Sequence, residues 1–149
     1  MRSPHRVRSV TVLAAVLLAA LVTTTVVGAA ARGDQVIQFA TPSGNIGCVY
    51  ARLSGSPTDL RCDIRSGLRP KPARPKNCDL DWGDSLAMQR HGGVNTVCHG
   101  DTALGGKPLA YGRTWRYDGF TCTSRMTGLT CKNLSGHGFF LSRERSRRF

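Results

Sequence analysis

Four groups of residues carry the types and spacings that chemistry needs. Gly83-Asp84-Ser85-Leu86 puts a serine in a hydrolase-like setting. No acid stands three residues before His91, His99 or His137, where Met88, Thr96 and Leu134 lie instead, so a serine–histidine–acid set has no support and Ser85 reads as the start of a strand. Asp79, Asp81 and Asp84 cluster in CDLDWGDS, but Asp84 and Arg90 occupy the positions where a calcium loop needs Gly and an acid, so they read as turn and surface carboxylates. Cys98-His99 and His91 offer zinc-ligand types without any C-x-x-C spacing, and no metal or other cofactor is expected. His99 and His137, with Arg113 or Arg116 as phosphate clamps, are the residues a secreted ribonuclease would use. The only Glu is Glu144, near the C-terminus, which leaves general acid–base work short of donors.

Binding chemistry is better represented. Leu109 to Phe120, LAYGRTWRYDGF, holds four aromatics with Arg113 and Arg116 between them. On a strand Arg113, Trp115 and Tyr117 share a face. Aromatic rings beside guanidinium donors suit sugars and anionic polymers, so Arg113, Trp115, Arg116 and Tyr117 are the candidate binding residues. The plainer alternative puts Trp115 and Tyr117 in the core with the arginines at its rim.

The elements that must position these residues are short strands. Val36 to Ala40 is apolar, and Thr41-Pro42-Ser43-Gly44-Asn45 is a turn. Ile46 to Arg52 and Thr58 to Ile64 form a hairpin if Cys48 faces Cys62, which also sets Tyr50 against Leu60. Phe120 to Ser124 and Leu129 to Asn133 repeat the pattern around Cys122 and Cys131, with a four-residue turn at Arg125 to Gly128. Leu86/Met88 and Val94/Thr96 alternate with polar neighbours around His91-Gly92-Gly93, a third hairpin. A Cys48–Cys62 and a Cys122–Cys131 bridge suit this geometry, and elimination leaves Cys78–Cys98, although six cysteines permit 15 pairings. No window shows helical periodicity. The fold class is therefore all-β, a small disulfide-stapled sandwich or barrel of short antiparallel hairpins.

Residues 1–31 read as a secretory signal peptide: a basic start, the apolar run Val10 to Val27, and Ala29-Ala30-Ala31 as the cleavage site. An uncleaved anchor is the alternative. Residues 32–142 form one secreted β domain. Within it, Ser66 to Asn77 (SGLRPKPARPKN) carries three Pro and four bases and reads as an extended, solvated connector, with a basic binding arm as the sharper possibility. Residues 143–149 hold four Arg and read as a frayed, flexible tail.

Beyond residue 31 the chain has 18 Lys and Arg against nine Asp and Glu, a formal charge of +9. All six cysteines lie in this part, as expected for a small exported domain. Such a charge favours anionic partners.

Several blocks in order resemble a known family: PSGNIGC (Pro42 to Cys48), RCDI (Arg61 to Ile64), DWG (Asp81 to Gly83), CHGDT (Cys98 to Thr102), AYG (Ala110 to Gly112), C-x8-C (Cys122 to Cys131) and GHGFFLSR (Gly136 to Arg143). They look like a small exported domain family of actinobacteria whose function is unknown. The resemblance implies an exported, cysteine-bridged domain and assigns no active residues.

The expected function is non-catalytic binding at the cell envelope, to an anionic wall polymer or a glycan. The protein is expected to be secreted or wall-associated, a monomer, with no membrane span once the leader is cleaved and no nucleic-acid partner. A protein–protein module, such as an inhibitor of a secreted hydrolase, is the second reading, and a small nuclease the third.

Overall fold

Alternation of apolar and polar side chains, broken at Gly, Pro and Asp, sets the architecture. A computed structural model describes residues 33–149; the expected signal peptide, residues 1–31, lies outside them. Eleven strands form: β1 (Gln35–Ala40), β2 (Ile46–Arg52), β3 (Asp59–Ile64), β4 (Ser85–Gln89), β5 (Val94–Thr96), β6 (Lys107–Pro108), β7 (Thr114–Tyr117), β8 (Phe120–Arg125), β9 (Gly128–Lys132), β10 (Gly138–Leu141) and β11 (Ser146–Arg148). Among the described residues there is no helix. One sheet runs β5-β4-β3-β2-β1-β6 and the other β11-β10-β9-β8-β7. All neighbours are antiparallel except β1 and β6. This is the all-β, disulfide-stapled sandwich that the alternation implies.

The two cysteine hairpins read from sequence have the expected register, and the third hairpin forms with its strands slipped from the pairing that a turn at His91 to Gly93 would give. Cys48 faces Cys62 and Tyr50 faces Leu60. Met88 faces Val94 and Leu86 faces Thr96. Cys122 faces Cys131. Arg125 also pairs with Gly128, so the expected four-residue turn tightens to Met126 and Thr127. The bridges are Cys48–Cys62, Cys78–Cys98 and Cys122–Cys131. Such pairing fits an oxidising environment.

Every second side chain of the central strands points between the sheets. Ile46, Tyr50, Leu60, Ile64, Leu86 and Met88 from one sheet meet Phe120, Leu129, Phe139 and Leu141 from the other. The two hairpin bridges meet there as well. The Sγ atoms of Cys48, Cys62 and Cys131 lie within 4.8 Å of one another.

Two segments differ from expectation. The tail is not frayed. Ser142 and Arg145 close a turn, and Ser146–Arg148 returns along β10 with Phe140 opposite Arg147. Ser146-Arg147-Arg148 is three residues long and holds no apolar residue, so it carries no periodic signal to be read. The connector, residues 66–77, is largely solvent-exposed as expected, but it is anchored rather than free. Leu68 is buried, and its N–H donates to the Gly83 carbonyl at 2.7 Å. Arg69 and Ser146 exchange hydrogen bonds, the Arg69 N–H to Ser146 Oγ at 2.8 Å and the Ser146 N–H to the Arg69 carbonyl at 2.7 Å. Prolines free the segment from strand pairing, and these contacts then hold it against the sandwich end.

Candidate functional site

The aromatic stretch chosen from sequence is divided by the fold. Trp115 and Tyr117 turn inward. Trp115 packs on Phe39 at a centroid distance of 4.8 Å, and Tyr117 meets the Tyr50 ring at 5.0 Å. Both are partly buried against the core. Arg116 points outward, and Arg113 precedes the strand in an exposed turn. The four residues therefore do not form one contact face. The rings close an aromatic nest at one sandwich edge, and the arginines stand at its rim.

That nest has a polar lid. Asp118 sits at φ 42° in the β7–β8 turn, and its Oδ2 accepts the Tyr50 hydroxyl at 2.7 Å. Arg52 and Arg90 lie 3.8 and 3.7 Å from the same carboxylate. Burial, then the Asp118 hydrogen bond and charge, push the Tyr50 phenol up to about 12.

The catalytic candidates are likewise separated. Ser85 is 0% exposed, and its Oγ accepts from Arg61 Nε at 3.2 Å, so no substrate reaches it. Arg61 forks onto the buried Asp63 with two contacts of 2.8 Å and reaches Asp101 at 2.7 Å. The hydrogen bond from Arg61 holds the Asp101 carboxyl below the usual carboxylate range. His99 is buried, with Nδ1 on the Asp101 carbonyl at 2.6 Å and Nε2 on Asp84 at 2.9 Å. His137 belongs to a different network, with Nδ1 on Ser135 Oγ at 3.2 Å. Asp81 is drawn into a bridge with the His99 backbone, which parts it from Asp79. The one metal-like grouping among the described residues is Cys48, Cys62 and Cys131, whose sulfurs are spent in disulfides.

What the fold does assemble is a cleft at one end of the sandwich. It holds about 760 Å³ and lies between the Pro-rich segment and the Asp81–Asp84 turn. Arg65, Arg69, Lys71 and Arg74 line it around Trp82. The Trp82 indole N–H donates to the carbonyls of Pro72 and Ala73, each at 3.1 Å, which fixes the ring against the segment that carries the cations. Gly83 leaves room for the Lys71 stem: a Cβ there would lie 2.7 Å from Lys71 Cε. Arg74 braces the wall through the carbonyls of Cys78 and Leu80. None of the four cations pairs with a carboxylate among the described residues. Asp81, Asp84 and Glu144 also line the cleft, with Asp84 engaged by His99.

Sequence reasoning reached Arg69, Lys71 and Arg74 as a possible basic arm, left Arg65 out of it, and met Trp82 only as part of the DWG block, with no role assigned. The available signal was a tryptophan four residues after Cys78, inside the loop that the Cys78–Cys98 bridge closes.

No curated protein and no solved structure matches the chain. The sequence model of a family of unknown function, DUF6636, matches residues 15–149. That span takes in both sheets, all three bridges and the whole Trp82 cleft, and the chain belongs to this family.

Proposed function

We propose that the protein is a non-catalytic binder of acidic polysaccharide, working outside the cytoplasm at the cell envelope, and that the Trp82 cleft takes the ligand. The observation that carries this reading is the set Arg65, Arg69, Lys71 and Arg74 around one oriented indole ring, with no carboxylate paired to any of the four. Guanidinium and ammonium groups take the acid groups of the polymer. The indole offers a flat apolar face for a sugar ring. Asp81 and Glu144 would repel a bare polyanion but accept hydrogen bonds from sugar hydroxyls, which favours a hydroxyl-rich ligand. The leader-like start and the three disulfides support a place outside the cytoplasm.

Co-sedimentation of the oxidised domain with purified cell walls tests the reading, using intact walls beside walls stripped of their anionic polymers across a salt series. Binding is expected to fall on stripping, to weaken steeply with salt as counterion release requires, and to be lost in Arg65→Ala/Arg69→Ala/Lys71→Ala. Binding that ignores salt and the triple substitution would sink it.

A further inference from the structure

The Trp82 cleft does not end at its own wall. Glu144 lines it, and Glu144 also lines a second cleft of about 280 Å³ on the far side of the β10–β11 turn. The second cleft lies between the 41–46 turn and the Met126-Thr127 hairpin tip. It carries Arg125 and Arg143 and the exposed ring of Tyr111. Neither arginine pairs with a carboxylate among the described residues. Met126, 86% exposed, stands at its lip, an apolar surface with no partner.

The two clefts repeat one composition. Each combines a single aromatic ring with unpaired cations, and they share one carboxylate at their junction. Two units of the same build that meet at Glu144 match a ligand that itself repeats. From this we infer that the sandwich end is a two-subsite groove for an extended acidic polysaccharide, one stretch of chain lying at Trp82 and the next at Tyr111, Arg125 and Arg143. The inference rests on the proposed function and adds the second subsite and the polymeric nature of the ligand.

Glu144 lies beneath the crossing. Its carboxyl is held below the usual range by the Ser142 hydroxyl, its own backbone N–H and the neighbouring Arg143 and Arg145, so it stays ionised in mild acid. It opposes an anionic chain passing over it.

Calorimetry on the oxidised protein with polygalacturonate and with digalacturonate tests the idea, and poly(glycerol phosphate) provides a phosphodiester arm without sugar rings. The substituted side chains are exposed, and a circular dichroism spectrum confirms each fold. Two subsites on one chain raise avidity well beyond either alone. Arg125→Ala/Arg143→Ala is expected to weaken polygalacturonate at least about tenfold and to reduce digalacturonate stoichiometry from two to one. Glu144→Gln, which adds no cation, is expected to tighten polygalacturonate by about threefold at low salt. Polymer affinity unchanged in Arg125→Ala/Arg143→Ala, or not raised in Glu144→Gln, overturns the two-subsite groove. If the Arg65, Arg69 and Lys71 substitutions still abolish binding in that case, the proposed function stands without it; if they too change nothing, both fail. Affinity for poly(glycerol phosphate) equal to or above that for polygalacturonate would overturn the assignment of the groove to sugar-acid chains.

Discussion

Tyr50 shows how a buried polar atom ties the two sheets together. It stands in the centre of β2 with no exposed surface, and its hydroxyl reaches Asp118 in the β7–β8 turn of the other sheet. Its phenol is pushed up to about 12, chiefly by burial and then by Asp118. An unfolded tyrosine ionises near ~10. The folded state therefore holds this proton more tightly than the unfolded one, its stabilising effect is complete below ~10, and it is lost as pH rises through about 12. The alkaline loss is expected to be on the order of 2 kcal/mol. Tyr50→Phe should lower stability at neutral pH by roughly 1 kcal/mol and flatten the alkaline decline. Denaturant unfolding of both proteins across that range checks this, and a decline equally steep in the variant would place its cause elsewhere. At this scale the sequence was legible in part. Period-two alternation correctly put Trp115 and Tyr117 on one face, but alternation alone does not say which face meets the other sheet. The packing against Phe39 and Tyr50 is a contact between distant strands. The role of Trp82 was illegible for the opposite reason, because tertiary contacts, the backbone bond from Leu68 to Gly83 and the indole bonds to Pro72 and Ala73 among them, bring the cationic segment beside it.

Strands and turns were the most readable level, because their signals are local. Cys48 facing Cys62 and Cys122 facing Cys131 both follow from turn length plus alternation, whereas a turn at His91 to Gly93 does not give the observed pairing of Met88 with Val94. The β7–β8 hairpin carried as strong a signal in Asp118-Gly119 between apolar strands, yet attention to its aromatics as a binding stretch left it unread. β6, β10 and β11 are two to four residues long, below what periodicity detects. The β8–β9 turn provides a test at this scale. Gly128 has φ 142°, and a Cβ there would lie 2.4 Å from the Leu141 carbonyl oxygen and 2.7 Å from the Phe140 ring. β9 and β10 must part to admit a methyl group. Gly128→Ala is expected to cost about 2–3 kcal/mol and to lower Tm by ~10 °C or more in a thermal scan. A variant melting within a degree or two of the parent would show that the turn relaxes without disturbing β10. Because this turn carries Met126 to the second cleft, the same change should also blunt that subsite.

Across the whole molecule the three bridges divide into two kinds. Cys48–Cys62 and Cys122–Cys131 are wholly buried in the core, whereas Cys98 is exposed and its bridge fastens the loop beneath the Trp82 cleft. Thiol–disulfide exchange needs access to sulfur. A mild thiol is expected to open Cys78–Cys98 first, with alkylation confined to those two residues, polymer binding reduced several-fold, and the near-ultraviolet spectrum of the core retained. Simultaneous opening of all three bridges would contradict the division. The contact between the two buried bridges has a further meaning for how the protein is made. With sulfurs of Cys48, Cys62 and Cys131 within 4.8 Å, a chain that collapsed before oxidation would bring thiols of both sheets into one cluster, where a bond between sheets competes with a bond within a hairpin. The native partners are only 14 and 9 residues apart, and short loops close at the least entropic cost. Correct pairing thus favours hairpins that oxidise before the sheets dock, which makes the order of events during folding, and not only the final packing, part of what this sequence encodes.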